Sequence, residues 1–188
     1  KNLPIYTREP QPFTSEEVAS ILNELSGQEK NLIQFAFWTG LRTSELIALR
    51  WQDVDLEQNC IHVRIAKVRN YLKGTKTKSG ERTITLQPQA REALLNQQTY
   101  TEKLKETVFH NPRTNKPWKD DQPIRKNVWT PALKKAGIKY RNPYQTRHTF
   151  ASTLLSRGEN PLWVAQQMGH KDWGQIIKIY GQWIPPSK

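Results

Sequence analysis

Three separated segments of the chain carry arginine, histidine and tyrosine in an order suited to chemistry on a phosphodiester. The first is TGLRTSEL, in which Arg42 is central, and the second is YQTRHT, around Arg147. The third runs from His170 in MGHK to Tyr180. Residues of these types predict an enzyme that holds a DNA phosphate with its cations and attacks it with a phenol.

Arginine suits the charge that develops in such a reaction. When phosphorus becomes five-coordinate, negative charge spreads over its nonbridging oxygens, and the planar guanidinium fork can donate two hydrogen bonds to them. Arg42 and Arg147 are therefore the candidates for a phosphate clamp, with His170 as a further donor. The alternative for Arg147 is an ordinary ion pair, although the nearest acids along the chain are Asp121 and Glu159.

Tyr180 is the candidate nucleophile. A phenol has a pKa near 10, so it attacks poorly at neutral pH unless cations or a proton acceptor assist it. The alternative role for Tyr180 is that of a buried tyrosine that only packs its ring. The alternative role for His170 is that of a helix-capping or core histidine. The distance from His170 and the following glycine favour Tyr180 over Tyr140 and Tyr144.

Taken together, the three segments resemble the catalytic domain of the tyrosine recombinases, the phage-integrase family, over most of residues 13–184. Arg147 follows Arg42 by 105 residues, His170 follows Arg147 by 23, and Tyr180 follows His170 by 10. The spacing therefore agrees with the family as well as the residue types. The resemblance implies a mainly α-helical (α+β) fold with a small antiparallel β-sheet. It also implies cleavage through a 3′-phosphotyrosine, without a metal or nucleotide cofactor.

The same resemblance implies two supporting residues. A lysine near the tip of the small hairpin acts in the family as the general acid for the departing 5′ oxygen, and Lys78 is the best match, with Lys76 as the runner-up. Its alternative is a phosphate-binding or solvated lysine. Glu45 resembles an acidic residue that orients the basic groups, and its alternative is a solvated carboxylate in the first turn of a helix.

One position departs from the common family pattern. Three residues before the second arginine the family often has histidine, whereas this chain has Tyr144. A neutral phenol can donate to phosphate but accepts a proton poorly, so Tyr144 either positions phosphate or packs under the arginine. His148 lies about 100° around the helix from Arg147 and is not expected to substitute. The general base is therefore unidentified.

Composition agrees with a nucleic-acid partner. Lysine and arginine number 29 against 17 aspartates and glutamates, a net charge of +12, although many basic proteins merely carry a solvated cationic face. Cys60 is the single cysteine, which excludes an internal disulfide and a cysteine-based zinc cluster. No apolar run approaches the ~18 residues of a membrane span. We expect a soluble, cytoplasmic protein.

Residues 1–12 contain three prolines and no periodic pattern, and we expect a linker from a missing N-terminal DNA-binding region. Residues 13–188 then form the catalytic domain. Strands are predicted at 60–65 and 82–86, and the segment that joins them is strongly basic. Helices are predicted at about 14–26, at 32–39, from 44 and from 88 to 105, then at 124–136, from 144, from 161 and after 172.

The primary hypothesis is a site-specific recombinase, an integrase of a prophage or other mobile element. Its expected partners are double-stranded DNA, other protomers on that DNA, and accessory DNA-bending or directionality proteins, with no membrane. Two alternatives stay open: a non-catalytic DNA-binding module of the same fold, and a type IB topoisomerase-like enzyme. Formation of a covalent adduct with nicked DNA would exclude the non-catalytic module. Relaxation of supercoiled DNA without site preference would favour the topoisomerase-like enzyme.

Overall fold

The computed structural model describes residues 9–68, 71–74, 81–170 and 172–186. Helix α1 (Ser15–Asn23) begins at a capping box, in which the Thr14 hydroxyl accepts from the Glu17 N–H at 3.1 Å and the Glu17 carboxylate accepts from the Thr14 N–H at 3.0 Å. Both bonds satisfy N–H groups that the first turn leaves without partners. The predicted start is confirmed, and the helix ends three residues before the predicted end.

Helices form most of the described chain, as predicted. They are α2 (Gly27–Thr39), α3 (Thr43–Leu46), α4 (Pro88–Thr101), α5 (Gln122–Ile124), α6 (Thr130–Lys135), α7 (Gln145–Ser156), α8 (Pro161–Met168) and α9 (Gly174–Tyr180). A π-helical turn, Arg125–Trp129, joins α5 to α6 in one helical segment. The helix predicted to reach residue 105 stops earlier, because α4 gives way to a 3-10 turn at Glu102–Leu104.

The strands are short and antiparallel. They are β1 (Val54–Asp55), β2 (Cys60–Val63), β3 (Ile65–Val68), β4 (Tyr71–Gly74), β5 (Arg82–Thr85), β6 (His110–Asn111) and β7 (Lys116–Pro117). Three of them form a sheet in the order β1-β2-β5, while β3 pairs with β4 and β6 with β7. The small antiparallel sheet is confirmed. The strand predicted at 60–65 is split between β2 and β3, and the β6–β7 hairpin was not predicted.

The buried hydrophobic side chains of the described residues form two clusters. The first gathers α1, α2, α4, α6 and the three-stranded sheet, with Phe13, Phe37 and Trp129 in mutual ring contact at 5.6–5.9 Å. The second gathers α7, α8 and α9 around Phe150 and Met168. Burying one such side chain contributes roughly 2 kcal/mol, so each cluster fixes its own helices firmly. Helix α7 packs on α2 and thereby joins the two clusters.

The described part of the proposed linker has no regular secondary structure. The backbone N–H of Gln11 donates to the Gln145 side chain at 2.8 Å, and that of Phe13 donates to the Thr149 hydroxyl at 2.9 Å. The linker and the preceding DNA-binding region stay predictions. None of the described helices combines the length and apolar character needed to cross a membrane.

Candidate active site

Arg147 lies at the centre of the site, in the first turns of α7. Its side chain is 1% exposed, and its two terminal nitrogens donate at 2.6 Å to the backbone carbonyls of Gly40 and Met168. Arg147 thus binds these two carbonyls, and it forms no ion pair with Asp121 or Glu159 in the described part of the chain. Burial, with the nearby charge of Arg42, lowers the pKa of Arg147 to about 10, so the group stays protonated at neutral pH. The two bonds leave further N–H donors for an anion.

Gly40 provides one of those carbonyls because of an unusual backbone. It ends α2 in the left-handed region, at φ 64°, as the helix-stop prediction requires. A Cβ at this position would stand 2.5 Å from a ring carbon of Phe150. Glycine therefore lets α7 approach the end of α2 closely enough for Arg147 to reach the carbonyl.

Arg42 begins α3 and is held by Glu45 one turn later. The Arg42 backbone N–H donates to Oε2 of Glu45 at 3.0 Å, and its Nη1 donates to Oε1 at 3.1 Å. The Arg42 side chain is 40% exposed, so it can also meet a ligand from solvent. One member of the predicted phosphate clamp is thus already bound by a carboxylate of the chain itself.

Glu45 binds a second arginine that we did not single out as a site residue. Nη1 and Nη2 of Arg82 donate to its two oxygens, each at 3.0 Å, and Arg82 Nε donates to the Gln167 carbonyl at 2.8 Å. Glu45 is 4% exposed, so its alternative as a solvated carboxylate is wrong. Burial acts to raise the Glu45 pKa, but the hydrogen bonds and charge of Arg82, with those of Arg42, hold it below its usual value.

His170 follows the end of α8. Its Nδ1 lies 3.1 Å from the side-chain amide oxygen Oε1 of Gln175, which makes Nδ1 the protonated nitrogen of the neutral ring. Nε2 is buried without a hydrogen-bond partner in the described part of the chain. Burial and the charge of Arg147 lower the His170 pKa. Donation from Nε2 to phosphate therefore requires the imidazolium, which a bound anion would favour.

Tyr180 ends α9 and is 1% exposed. Its Oη lies 2.5 Å from Nδ1 of His148, a contact that the 100° rotation between His148 and Arg147 did not lead us to expect. The 100° rotation separates His148 from Arg147 on α7, but α9 packs against α7 and brings the phenol to that second face. Burial raises the pKa of Tyr180, and the positive charge of Arg147 opposes the rise.

His148 is neutral at physiological pH. Burial, with the charges of Arg147 and His170, lowers its pKa to about 4. A neutral ring with the proton on Nε2 offers a lone pair on Nδ1, so the phenol hydroxyl donates to it. Sequence reasoning missed this contact, and the only available signal was the position of a histidine directly after Arg147.

Tyr144 occupies the first position before α7 and is 46% exposed. Its ring meets His148 edge-on, with centroids 5.1 Å apart. The sequence offered phosphate or the arginine as its partner and did not name this histidine.

Arg147 binds the carbonyls of Gly40 and Met168, which lie two residues before Arg42 and His170. Tyr180 and Tyr144 both contact His148, the residue after Arg147. The structure therefore brings together five of the predicted site residues: Arg42, Tyr144, Arg147, His170 and Tyr180. Lys78 lies outside the described residues, as does Lys76. Arg82 and His148 are additional members of the same site.

A helical domain in which two arginines, a histidine and a tyrosine from separate elements share one site defines a catalytic domain of the tyrosine-recombinase class. Residues 11–183 match the Phage integrase family, and the chain belongs to that family. The resemblance read from the motifs is thereby confirmed.

Similar proteins include mobile-element integrases and recombinases. The chain is 38% identical to the prophage integrase IntR of Escherichia coli over 93% of its own length and 48% of that protein. It is 30% identical to a XerC-like tyrosine recombinase of Caldanaerobacter subterraneus, over 96% of the chain and 52% of that protein. The chain thus spans about half the length of these relatives.

Solved structures show the same fold. The Tn1549 transposon integrase in complex with circular intermediate DNA superimposes with a TM-score of 0.79 at 23% identity, over 99% of this chain and 66% of that one. XerA recombinase gives a TM-score of 0.73 at 23% identity, over 94% of this chain and 60% of that one.

Proposed function

We propose that the chain is the catalytic domain of a site-specific DNA recombinase that integrates or excises a prophage or related mobile element. The observation that carries the proposal is the convergence of Arg42, Arg147, His170 and Tyr180 from four separate elements. Membership of the phage integrase family and similarity to a prophage integrase support the same function.

The two arginines hold the scissile phosphate. Arg147 is fixed by the carbonyls of Gly40 and Met168, and Arg42 by Glu45, so their remaining donors are oriented before DNA arrives. Preorganised donors stabilise developing charge without the cost of reorienting solvent during the reaction. His170, protonated against the bound phosphate, adds a further hydrogen bond.

Tyr180 is the nucleophile. Its oxygen attacks phosphorus, forms the 3′-phosphotyrosine and releases the 5′ oxygen, which takes a proton from Lys78. The ester conserves the energy of the phosphodiester bond, so the 5′ hydroxyl of another strand can reverse the step and complete strand exchange. Tyr144 donates from its hydroxyl to a phosphate oxygen in the place where the family often has histidine.

The partner is double-stranded DNA, gripped mainly through its phosphates by a chain of net charge +12. Tn1549 integrase, which shares the fold, has been solved with DNA. The protein would act on cytoplasmic DNA together with further copies of itself. Because displaced counterions drive such binding, the affinity should fall steeply with salt, and a flat salt response would contradict a phosphate-binding surface.

A nicked suicide substrate tests the enzymatic proposal. The purified protein is incubated with a nicked duplex that carries the ends of its element, and the products are separated by denaturing electrophoresis. We expect a covalent adduct with the wild type and with Tyr140→Phe, which alters an exposed tyrosine outside the site. Tyr180→Phe should give none.

Three outcomes would count against the proposal. A wild type that binds this DNA without forming an adduct would be a non-catalytic binding module. An adduct retained by Tyr180→Phe would place the nucleophile elsewhere. Relaxation of supercoiled plasmid without site preference would indicate a topoisomerase-like enzyme instead.

A further inference from the structure

Tyr180 contacts His148, a residue that was not among the predicted site residues. The phenol oxygen and the imidazole Nδ1 are 2.5 Å apart, and their rings lie with centroids 5.6 Å apart. We propose that His148 is the general base that takes the Tyr180 proton during DNA cleavage and returns it during rejoining. This inference rests on the proposed function, because it assigns a role in the same reaction.

The proton and electron balance of the step is simple. The proton moves from Tyr180 Oη to His148 Nδ1 while the Oη–phosphorus bond forms. The bond from phosphorus to the 5′ oxygen breaks, and that oxygen receives its own proton from the general acid. In the reverse direction the imidazolium protonates the phenolate as it leaves phosphorus.

The other polar groups near the phenol are poorer acceptors. His170 binds Gln175 through Nδ1, its Nε2 makes no hydrogen bond to the phenol, and Tyr144 presents a neutral phenol. Arg147 is cationic and cannot accept a proton at neutral pH. Among the described residues that bear on Tyr180, His148 alone has a lone pair already directed at the hydroxyl.

The electrostatic surroundings set the timing of the transfer. The groups that face His148 are Arg147 on the same helix, His170 after α8, Tyr144 before α7 and Tyr180 on α9. Burial, and then the charges of Arg147 and His170, disfavour the imidazolium and lower the His148 pKa in the free protein. A phosphate bound on Arg147 would offset that charge, and bonding to phosphorus makes the phenol more acidic. Proton transfer therefore accompanies attack instead of preceding it.

His148→Asn provides the direct test. Asparagine places an acceptor oxygen near the position of Nδ1, so it can keep the hydrogen bond but cannot carry the proton. Single-turnover cleavage of the nicked substrate should slow about 100-fold or more, because general base catalysis contributes on that scale. His62→Asn makes the same change at a histidine on β2 that contacts Thr83, and it should cleave like the wild type.

A fluorinated tyrosine at position 180 separates proton transfer from positioning. Trifluorotyrosine has a more acidic phenol than tyrosine, so it depends less on a base even where burial raises the pKa. The replacement should raise the cleavage rate of His148→Asn at least tenfold more than it raises the cleavage rate of the wild type. A purely structural role for His148 predicts equal effects in the two backgrounds.

Each outcome has one interpretation. If the wild type forms no adduct, the proposed function fails. If the wild type forms a Tyr180 adduct and His148→Asn cleaves within threefold of it, only the present inference fails. It also fails if trifluorotyrosine acts equally in both backgrounds, or if His148→Asn cleaves faster, which would mean that the contact restrains the nucleophile.

Discussion

Glu45 and Arg82 form a two-pronged ion pair, with both carboxylate oxygens 3.0 Å from the terminal guanidinium nitrogens. Both side chains are buried, at 4% and 7% exposure. Because Arg82 also binds the Gln167 carbonyl, this one contact joins α3, β5 and the end of α8. Arg42, which we propose to hold phosphate, is thereby positioned relative to His170.

Removing the carboxylate should cost stability as well as activity. We expect Glu45→Ala to lower the free energy of unfolding by about 3 kcal/mol, because it removes the carboxylate that balances the charge of the buried Arg82 guanidinium. Glu17→Ala is the control, since it breaks the more exposed ion pair with Arg141 and should cost about 1 kcal/mol. Urea unfolding measures both, and equal losses would contradict the structural role of Glu45.

The same carboxylate makes stability depend on pH. The folded-state pKa of Glu45 lies below its ordinary value near 4.5, because burial, which acts to raise it, is outweighed by Arg82 and Arg42. The unfolded state therefore binds a proton more readily, and the stabilisation is complete above that ordinary value. It is lost as the pH falls through the folded pKa. The unfolding free energies of wild type and Glu45→Gln, measured between pH 6 and 3, should converge at the acid end.

Substitution of Arg147 should reduce both stability and cleavage, whereas substitution of Arg42 should reduce mainly cleavage. Arg147→Lys removes the fork that reaches both the Gly40 and Met168 carbonyls. We therefore expect the unfolding free energy to fall by about 2 kcal/mol and DNA cleavage to be lost. Arg42→Lys alters a partly exposed side chain and should leave stability within about 1 kcal/mol while reducing cleavage at least tenfold. Thermal unfolding and single-turnover cleavage test this division. Equal stability of the two variants would contradict it.

Local periodicity and helix stops predicted the helices and two of the strands, and the resemblance of the motifs to the tyrosine recombinases implied the small sheet and five residues that the structure brings together. Gly40 and Gly169 end their helices as expected, both at positive φ. The burial of Glu45 was not predictable, since its partner Arg82 is 37 residues away. The His148 contact was missed for a similar reason. A rotation about one helix says nothing about which neighbouring helix occupies the second face.

The close approach at Gly40 makes a further prediction. Gly40→Ala must force a methyl group against the Phe150 ring and should cost about 3 kcal/mol or more, from overpacking added to backbone strain. Gly137→Ala is a matched control, because its φ of 69° is similar and a Cβ there meets no atom within 4 Å. It should cost only about 1 kcal/mol of backbone strain. Urea unfolding of both variants isolates the packing contribution, and equal costs would mean that the ring moves aside freely.

Tyr144 offers the test of how this chain replaces the usual family histidine. Tyr144→Phe keeps the edge contact with His148 and removes the hydroxyl, so we expect cleavage to fall about tenfold while DNA affinity changes little. Tyr144→His restores a ring donor and should cleave at least as fast as the wild type, whereas Tyr140→Phe should be neutral. Single-turnover rates with the nicked substrate measure all three. Wild-type cleavage by Tyr144→Phe would mean that the ring, through its contact with His148, is what the site requires, and that the hydroxyl does not donate to phosphate.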